Sequence, residues 1–263
     1  MCFSILPDFL LGLPRATLAT LGIVEGLAEA LSYGLRSVSG IFSDMFRRRK
    51  VIVLLGYGLS TLVKPLFSTA QTSLDVLIIR IGDRVGKAIR TSPRDALLSE
   101  SVSEKRMGAA FGLHRTLDQI GAILGPVIAS TLMLFFGFTA RDIFWLSFIP
   151  ESIALLIILV FVKERIGKPS GELKLLRGVE TVLKGRFSSL LIVVGLFSLG
   201  AYNFSFILAR AEGIGVAKPL ISIVYAVINL AHTAIAIPGG LLSDKIGRER
   251  VLVMGYGVFL LQH

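Results

Sequence analysis

One face of a predicted helix between residues 74 and 97 carries a set of ionisable side chains. Its six members recur every three or four residues, so at about 100° per residue they share one side of the helix: Arg80, Asp83, Arg84, Lys87, Arg90 and Arg94. Such side chains can neutralise one another in ion pairs, bind a charged molecule, or accept and release protons. Which of these they do depends on the partners that neighbouring elements bring to this face.

Partners are available in other apolar segments of the chain. Their polar side chains are Glu25, Glu29, Ser32, Arg36, His114, Arg115, Asp118 and Glu151. Together with the charged stripe and Asp95, these residues include seven Lys or Arg and six Asp or Glu, so their charges nearly balance. Two interpretations follow and can coexist: a paired network that fixes the helices, or a cavity in which paired carboxylates exchange protons.

The composition indicates that these segments lie in lipid. Of the 263 residues, 53% are hydrophobic and 17% are charged, and the mean hydropathy is +0.75. Several apolar stretches reach the roughly 20 residues that cross a hydrocarbon core about 30 Å thick. A soluble globular enzyme and a disordered chain are therefore excluded, and the charged stripe must face a cavity or partners, since a charge at the bilayer centre is costly.

Seven full crossings are predicted from apolar runs bounded by charge, proline or glycine. They lie near residues 18–43, 51–70, 74–97, 107–136, 143–162, 187–209 and 219–243. The segment 74–97 is so charged that hydropathy alone would miss it, and residues 1–11 are apolar but too short to cross.

The loops on one side hold sixteen Lys and Arg against four on the other, so the first side is predicted to be cytoplasmic. The excess of +10 is thus a signal of orientation, not of nucleic-acid binding.

The depth of the ionisable residues along their predicted helices ranks them as candidates for function. At 1.5 Å per residue, Glu29, Arg84 and Asp118 each lie roughly 15–18 Å from the start of their helices, near the midplane. We predict Glu29 and Asp118 as proton-coupling residues, followed by Glu25 and Glu151. The candidates for lining a solute cavity are Arg80, Asp83, Arg84, His114, Arg115 and Asn203.

A repeat divides the chain into two membrane units. Gly40-Ile-Phe-Ser-Asp44, with Arg48 and Lys50, matches Gly240-Leu-Leu-Ser-Asp244, with Arg248 and Arg250, at an offset of 200. Both copies follow a crossing toward the cytoplasmic side, so the halves are predicted to be parallel repeats about an axis along the membrane normal. The polar segment 163–186 is the predicted cytoplasmic linker between them.

The two copies, GIFSDMFRRRK and GLLSDKIGRER, resemble the loop signature of the major facilitator superfamily. This resemblance implies an all-α integral membrane protein of that family's type, in which two bundles of six helices alternate access to a midplane cavity. The chain would hold about seven to eight of the twelve helices: residues 1–162 as the first half with a truncated first helix, the linker, and residues 187–263 as the start of the second half.

The resemblance also assigns roles to individual positions. A gate that closes the cytoplasmic side is expected from Gly40, Asp44, Arg48, Arg49, Arg94, Asp95, Gly240, Asp244, Lys245, Gly247 and Arg248. In the first copy Arg47 replaces the signature glycine, so that loop is expected to turn differently. Gly121, Gly125 and Pro126 resemble the antiporter signature of the family's fifth helix, which favours antiport.

Other chemistry is not supported by the sequence. Cys2 is the one cysteine and the three histidines are scattered, so no metal site is expected. No signature of a nucleotide-binding loop or a hydrolase is present in a suitable context, and we expect no cofactor and no enzymatic activity. The predicted function is secondary transport of a small solute across the cytoplasmic membrane, coupled to protons. The alternatives are an incomplete chain without transport activity and a membrane-embedded sensor or interaction protein.

Overall fold

A computed structural model of the chain describes residues 2–46, 48–103, 107–164 and 203–260. The described residues form ten α-helices and a 3-10 helix, Lys64–Thr69, with no strand among them. The α-helices are α1 Cys2–Leu11, α2 Leu18–Phe46, α3 Arg49–Val63, α4 Ser73–Ser101, α5 Met107–Phe135, α6 Ala140–Leu146, α7 Phe148–Phe161, α8 Phe204–Gly213, α9 Lys218–Ile246 and α10 Arg248–Leu260. The predicted crossing 187–209 falls partly outside the described residues, as does most of the linker 163–186.

Five stretches of the described residues are long and apolar enough to cross a membrane: 18–36, 49–69, 110–135, 140–161 and 218–235. The helix α4 is not one of them, although its 29 residues match the predicted crossing 74–97. It packs along α2 and α3, so its charged face lies against protein. The expectation that hydropathy alone would miss this helix is confirmed.

Two predicted crossings are interrupted by proline. The segment 51–70 changes from α3 to the 3-10 helix at Lys64, and Pro65 follows immediately. The segment 143–162, predicted as one helix, is divided at Ser147 into α6 and α7. Pro150 has no N–H to donate to the carbonyl of Leu146, and its ring crowds that carbonyl, which accounts for the break.

Local signals fix several helix ends. Thr72 and Asp75 form a capping box at the start of α4, and Thr139 and Asp142 form another at the start of α6. The end of α8 is a Schellman motif, in which Gly215 has a φ of +93° and the N–H of Val216 donates to the carbonyl of Ala211 at 3.1 Å.

The predicted repeat has a structural counterpart. The helices α2 and α9 each contain 29 residues and begin 200 residues apart, at Leu18 and Lys218. The turn after α9 contains Gly247 with a φ of +94°, a conformation that glycine adopts without strain. Residue Arg47, at the equivalent place in the first copy, lies outside the described residues.

Helices of the first and second repeats meet near the predicted extracytoplasmic side. The hydroxyl of Ser130 on α5 donates to the carbonyl of Pro219 on α9 at 2.6 Å. The hydroxyls of Ser4 on α1 and Ser222 on α9 lie 3.2 Å apart. Beside them, an apolar cluster includes side chains of α1, the start of α2, the 3-10 helix and α6, among them Leu6, Leu10, Leu21, Phe67 and Phe144. This side of the cavity described below is therefore packed with apolar side chains.

Candidate functional site

A cavity of about 640 Å³ lies among helices of both repeats. Its walls come from α1, α2, α4, α5, α7, α8 and α9, and from the 3-10 helix. Its charged lining residues are Glu29, Lys64, Arg80, Asp83, Arg84, Lys87, Arg90 and Glu151. Aromatic rings of Phe3, Phe67, Phe204 and Tyr225 complete much of the remaining wall. The structure therefore brings together acidic and basic residues that are up to 122 positions apart in the chain, from Glu29 to Glu151.

The charged face of α4 meets α2 in a buried ion-pair network. Both carboxylate oxygens of Glu25 lie 2.9 Å from the Nη2 atom of Arg80. Arg84 lies 2.6 Å from Glu29 and 3.6 Å from Glu25, measured from its Nη2 atom. The side chains of Glu25, Arg80 and Arg84 are all less than a tenth exposed, so each requires an opposite charge to offset the loss of water.

A second pair crosses the cavity wall where the two proline breaks lie. Lys64 precedes Pro65 and Glu151 follows Pro150, and the Lys64 ammonium donates a hydrogen bond to the Glu151 carboxylate. The same ammonium lies 3.7 Å from Asp83 on α4. Asp83 also lies 3.6 Å from Arg80, so it links this pair to the network with α2.

Two further cations line the cavity without a carboxylate partner. Within 4 Å, Lys87 has no carboxylate oxygen in the part of the chain that the structure describes, and the same holds for Arg90. Arg90 donates instead to the hydroxyl of Ser60 at 2.6 Å, and its guanidinium lies 4.4 Å from the ring centre of Tyr57. Lys87 lies near Arg84 and Arg36, two other cations, and near Glu29, which Arg84 already pairs.

A close contact between α3 and α4 positions this face. A Cβ atom on Gly86 would lie 2.6 Å from the hydroxyl of Ser60 and 2.8 Å from the carbonyl of Gly56. A Cβ atom on Gly56 would lie 2.7 Å from the carbonyl of Gly86. Small residues at both positions let the two backbones approach, as is common between helices in membranes.

Four of the residues predicted for the site lie away from this cavity. Asp118 is half-exposed, and its carboxylate lies 3.7 Å from the imidazole of His114, one turn earlier on α5. His114 lines a second cavity of about 310 Å³ together with Tyr57 and Arg94. Arg115 is exposed, and Asn203 caps α8 by accepting a hydrogen bond from the N–H of Ser205 at 3.0 Å.

The part of α5 that lines the main cavity is instead Gly121, Gly125 and Ile128, one or more turns further along the helix. Pro126 lies buried beside this part of α5.

The signature residues of the two loops lie at or near helix ends. Gly40 and Asp44 belong to the end of α2, Gly240, Asp244 and Lys245 to the end of α9, and Arg248 begins α10, but their side chains lie outside what the structure describes. Arg48 is exposed between α2 and α3.

Two of the predicted gate arginines pair within the first repeat. Arg49 forms an ion pair with Glu100 of α4, and Arg94 lies 2.9 Å from its neighbour Asp95. The backbone N–H of Lys50 donates to Glu164 at 3.1 Å, so the ends of α3, α4 and α7 lie together.

An ionic cluster joins the repeats at the opposite side. Lys218 at the start of α9 lies 3.2 Å from Asp8 of α1 and 3.5 Å from Glu212 of α8. Burial raises the pKa of Glu212, and the neighbouring Asp8 raises it further.

Lys64 is a charged cavity residue that sequence reasoning missed. The signal was present, because Lys64 is a charge inside the apolar segment 51–70 and is followed by proline. An intramembrane charge next to a helix-breaking residue is itself a reason to expect a cavity. Lys87 was part of the charged stripe, but nothing in the sequence distinguished it from Arg84.

Comparison with known proteins identifies the family. A model of the Major Facilitator Superfamily matches residues 3–262. An uncharacterised MFS-type transporter of Methanocaldococcus jannaschii is 32% identical, with 98% of this chain and 66% of that protein aligned. An uncharacterised protein of Mycobacterium tuberculosis is 28% identical over 91% of this chain and 60% of that protein.

A relative that is named for an activity is more distant in sequence. The multidrug resistance protein MdtG of Proteus mirabilis is 24% identical over 92% of this chain and 63% of that protein. The chain thus spans about two thirds of the length of the curated relatives it matches. Because the family match covers nearly every residue and the described chain is helical with five apolar crossings, this multi-pass membrane protein belongs to the major facilitator superfamily, a family of transporters and not of enzymes.

Proposed function

We propose that the chain acts in secondary active transport, moving a small solute across the cytoplasmic membrane in exchange for protons. The observation that carries the proposal is the cavity, whose carboxylates are held by cations at the level of the membrane interior. Protonation of such a carboxylate releases its cation, and solute binding can compete for the same cation. One cavity can therefore link the movement of a proton to the movement of a solute.

Glu29 and Glu151 are the coupling carboxylates that this cavity favours. Both line it, and each is paired with one cation, Arg84 and Lys64 respectively. Glu25 is 2% exposed between two arginines and does not line the cavity, so a proton has a poorer route to it. Asp118 remains a coupling candidate by depth alone.

Efflux is the proposed direction. The name of the Proteus mirabilis relative, a multidrug resistance protein, supports export, and the resemblance of Gly121, Gly125 and Pro126 to the antiporter signature supports exchange. Gly121 and Gly125 both line the cavity, where a small side chain leaves room for a solute.

Reconstitution into proteoliposomes tests this proposal. We expect an imposed pH gradient to drive accumulation of at least one of two probes, the anion 2-naphthoate or the cation ethidium. In Glu29→Gln, gradient-driven accumulation should be lost while exchange of the probe down its own gradient continues, because the amide cannot carry a proton. Glu164→Gln, at the loop end of α7, is the matched control and should behave as wild type.

The outcomes separate the parts of the proposal. No gradient-driven movement of either probe in the wild type would overturn proton-coupled transport. Coupled transport that persists in Glu29→Gln would remove Glu29 from the coupling role, and the same measurement on Glu151→Gln and Asp118→Asn would then rank the remaining candidates.

The loop signature is proposed as the cytoplasmic gate. Asp44 lies in the last turn of α2, and a run of basic residues follows it in the sequence. Asp44→Asn should slow transport without reducing the amount of chain inserted in the membrane. Unchanged transport rates would argue against the gate and leave these residues as anchors that set orientation.

A further inference from the structure

The acidic residues of the cavity, and Glu25 behind its wall, are already paired with cations. Glu25 contacts Arg80, Glu29 contacts Arg84, and Glu151 contacts Lys64. The remaining carboxylate, Asp83, lies between Lys64 and Arg80. The carboxylates of this wall are therefore neutralised by cations of the same wall.

Two cations remain after this pairing, and both face the same space. Lys87 and Arg90 line the cavity one turn apart on α4 and have no carboxylate within 4 Å among the described residues. Arg90 is held by Ser60 and by the ring of Tyr57, so its guanidinium is positioned without being neutralised. Lys87 adds a flexible ammonium to the same wall.

Among the described residues, the second repeat brings no acidic side chain to the lining of the cavity. Its described lining residues are Phe204 and Tyr225, both aromatic. The segment 187–202, which precedes α8, contains no charged residue in the sequence. The cavity thus combines an excess of positive charge with flat apolar surfaces.

We infer that the solute is an organic anion with an aromatic or otherwise flat apolar body, whose anionic group binds between Lys87 and Arg90. The inference rests on the proposed function and names the solute class for that same cavity. An anionic group would supply the charge that the wall lacks at Lys87 and Arg90, and the rings of Phe3, Phe204 and Tyr225 would contact its apolar body. Arg80 and Arg84, which the sequence predicted as cavity residues, are not assigned to the anionic group because carboxylates already pair both of them.

Binding to the purified full chain tests the inference without requiring transport. The chain is placed in nanodiscs of zwitterionic lipid, so that no anionic headgroup competes, and titrated calorimetrically with three probes that share one ring system: 2-naphthoate, neutral 2-naphthamide and cationic 2-naphthylmethylammonium. We expect 2-naphthoate to bind the wild type most tightly. In Lys87→Met its affinity should fall about tenfold or more, since a charge-assisted contact is lost.

Control variants separate a local effect from a general one. Lys87→Arg should retain most of the affinity, and Lys50→Met, at the loop end of α3, should bind as wild type does. The affinity for 2-naphthamide should be nearly the same in the wild type and in Lys87→Met, which also reports that the cavity is intact.

Three results would overturn the inference: no binding of 2-naphthoate by the wild type, tighter binding of the cationic probe, or unchanged 2-naphthoate affinity in Lys87→Met. The failure of the proposed function is distinct. If the chain binds 2-naphthoate through Lys87 but moves no probe under a pH gradient, the binding site is supported and proton-coupled transport is overturned. If a pH gradient drives the movement of ethidium alone, proton-coupled transport is supported and the anionic solute class is overturned.

Discussion

The charged face of α4 consists of two parts that look alike in the sequence and differ in the structure. In the first part, Arg80, Asp83 and Arg84 are less than a tenth exposed and each contacts an opposite charge. In the second part, Lys87 and Arg90 line the cavity with no carboxylate partner among the described residues. Side chains with the same spacing are thus paired with opposite charges at one level of the helix and are left without a carboxylate partner among the described residues one turn further on.

The difference comes from the neighbouring helices and not from α4 itself. The helix α2 carries Glu25 and Glu29 beside the first part, and the proline breaks bring Lys64 and Glu151 to Asp83. Beside the second part, α3 offers the hydroxyl of Ser60 and the ring of Tyr57, which hold a guanidinium without cancelling its charge. Charge pairing in the first part supports the fold, and the charge left in the second part is available to a ligand.

The largest effect is expected where the paired part is broken. Arg80→Met leaves Glu25, which is 2% exposed, without its nearest cation, and should lower the free energy of unfolding by about 3–5 kcal/mol. Arg84 lies 3.6 Å from Glu25 and will recover some of this loss. The measurement is denaturant unfolding of the purified chain in detergent. The double variant Glu25→Gln with Arg80→Met should recover much of the stability, and a wild-type value for Arg80→Met alone would contradict the network.

The second largest effect is expected at the close contact between α3 and α4, which positions both parts of the charged face. Gly86→Ala places a Cβ atom 2.6 Å from the Ser60 hydroxyl and 2.8 Å from the Gly56 carbonyl, so α3 and α4 must separate. Such overpacking should cost about 1–3 kcal/mol in the same unfolding measurement. Gly34→Ala on α2 is the control, because nothing lies within 4 Å of the added atom. Equal stability of the two variants would show that the close approach is not required.

A small effect is expected in the unpaired part. Lys87→Met removes a charge that contacts no carboxylate among the described residues, so the free energy of unfolding should stay within about 0.5 kcal/mol of the wild type. The contrast with Arg80→Met, measured side by side, is the sharpest test of the division of α4. A loss as large as that of Arg80→Met would mean that Lys87 also supports the fold.

The smallest effect is expected at the ionic cluster of Lys218, Asp8 and Glu212. Since the pKa of Glu212 is raised in the folded chain, the folded state binds more protons than the unfolded state between the ordinary carboxyl pKa and the raised one. Stability should therefore fall as the pH rises through that window, by less than about 1 kcal/mol for a partly exposed group. Melting temperatures from about pH 4 to 7 measure this slope. Glu212→Gln should flatten it, and an unchanged slope would assign the dependence to another group.

The sequence was sufficient to predict the features that depend on local pattern. The helix α4 and its charged face, the matching helices α2 and α9, and the family were predicted from spacing, charge and repetition. These signals lie within single helices or in two aligned segments, so no tertiary contact was needed to read them.

The pairing of individual charges could not be predicted in the same way. The Lys64–Glu151 pair depends on two helix breaks 85 residues apart, at Pro65 and Pro150, and only their packing brings the side chains together. Depth placed Asp118 at the midplane, but depth does not give the direction in which a side chain points around its helix axis. His114 and Asp118 consequently lie one or two turns from the part of α5 that lines the cavity.

The apolar cluster beside the cavity sets a condition on any movement toward the outer face. Phe67, Phe144, Leu6 and Leu10 are each at most 1% exposed, so a passage between them would bring tightly packed hydrocarbon into contact with water or a polar solute. At roughly 25 cal/mol for each Å² uncovered, even a narrow opening is unfavourable. The packed cluster therefore opposes any opening of the cavity on that side.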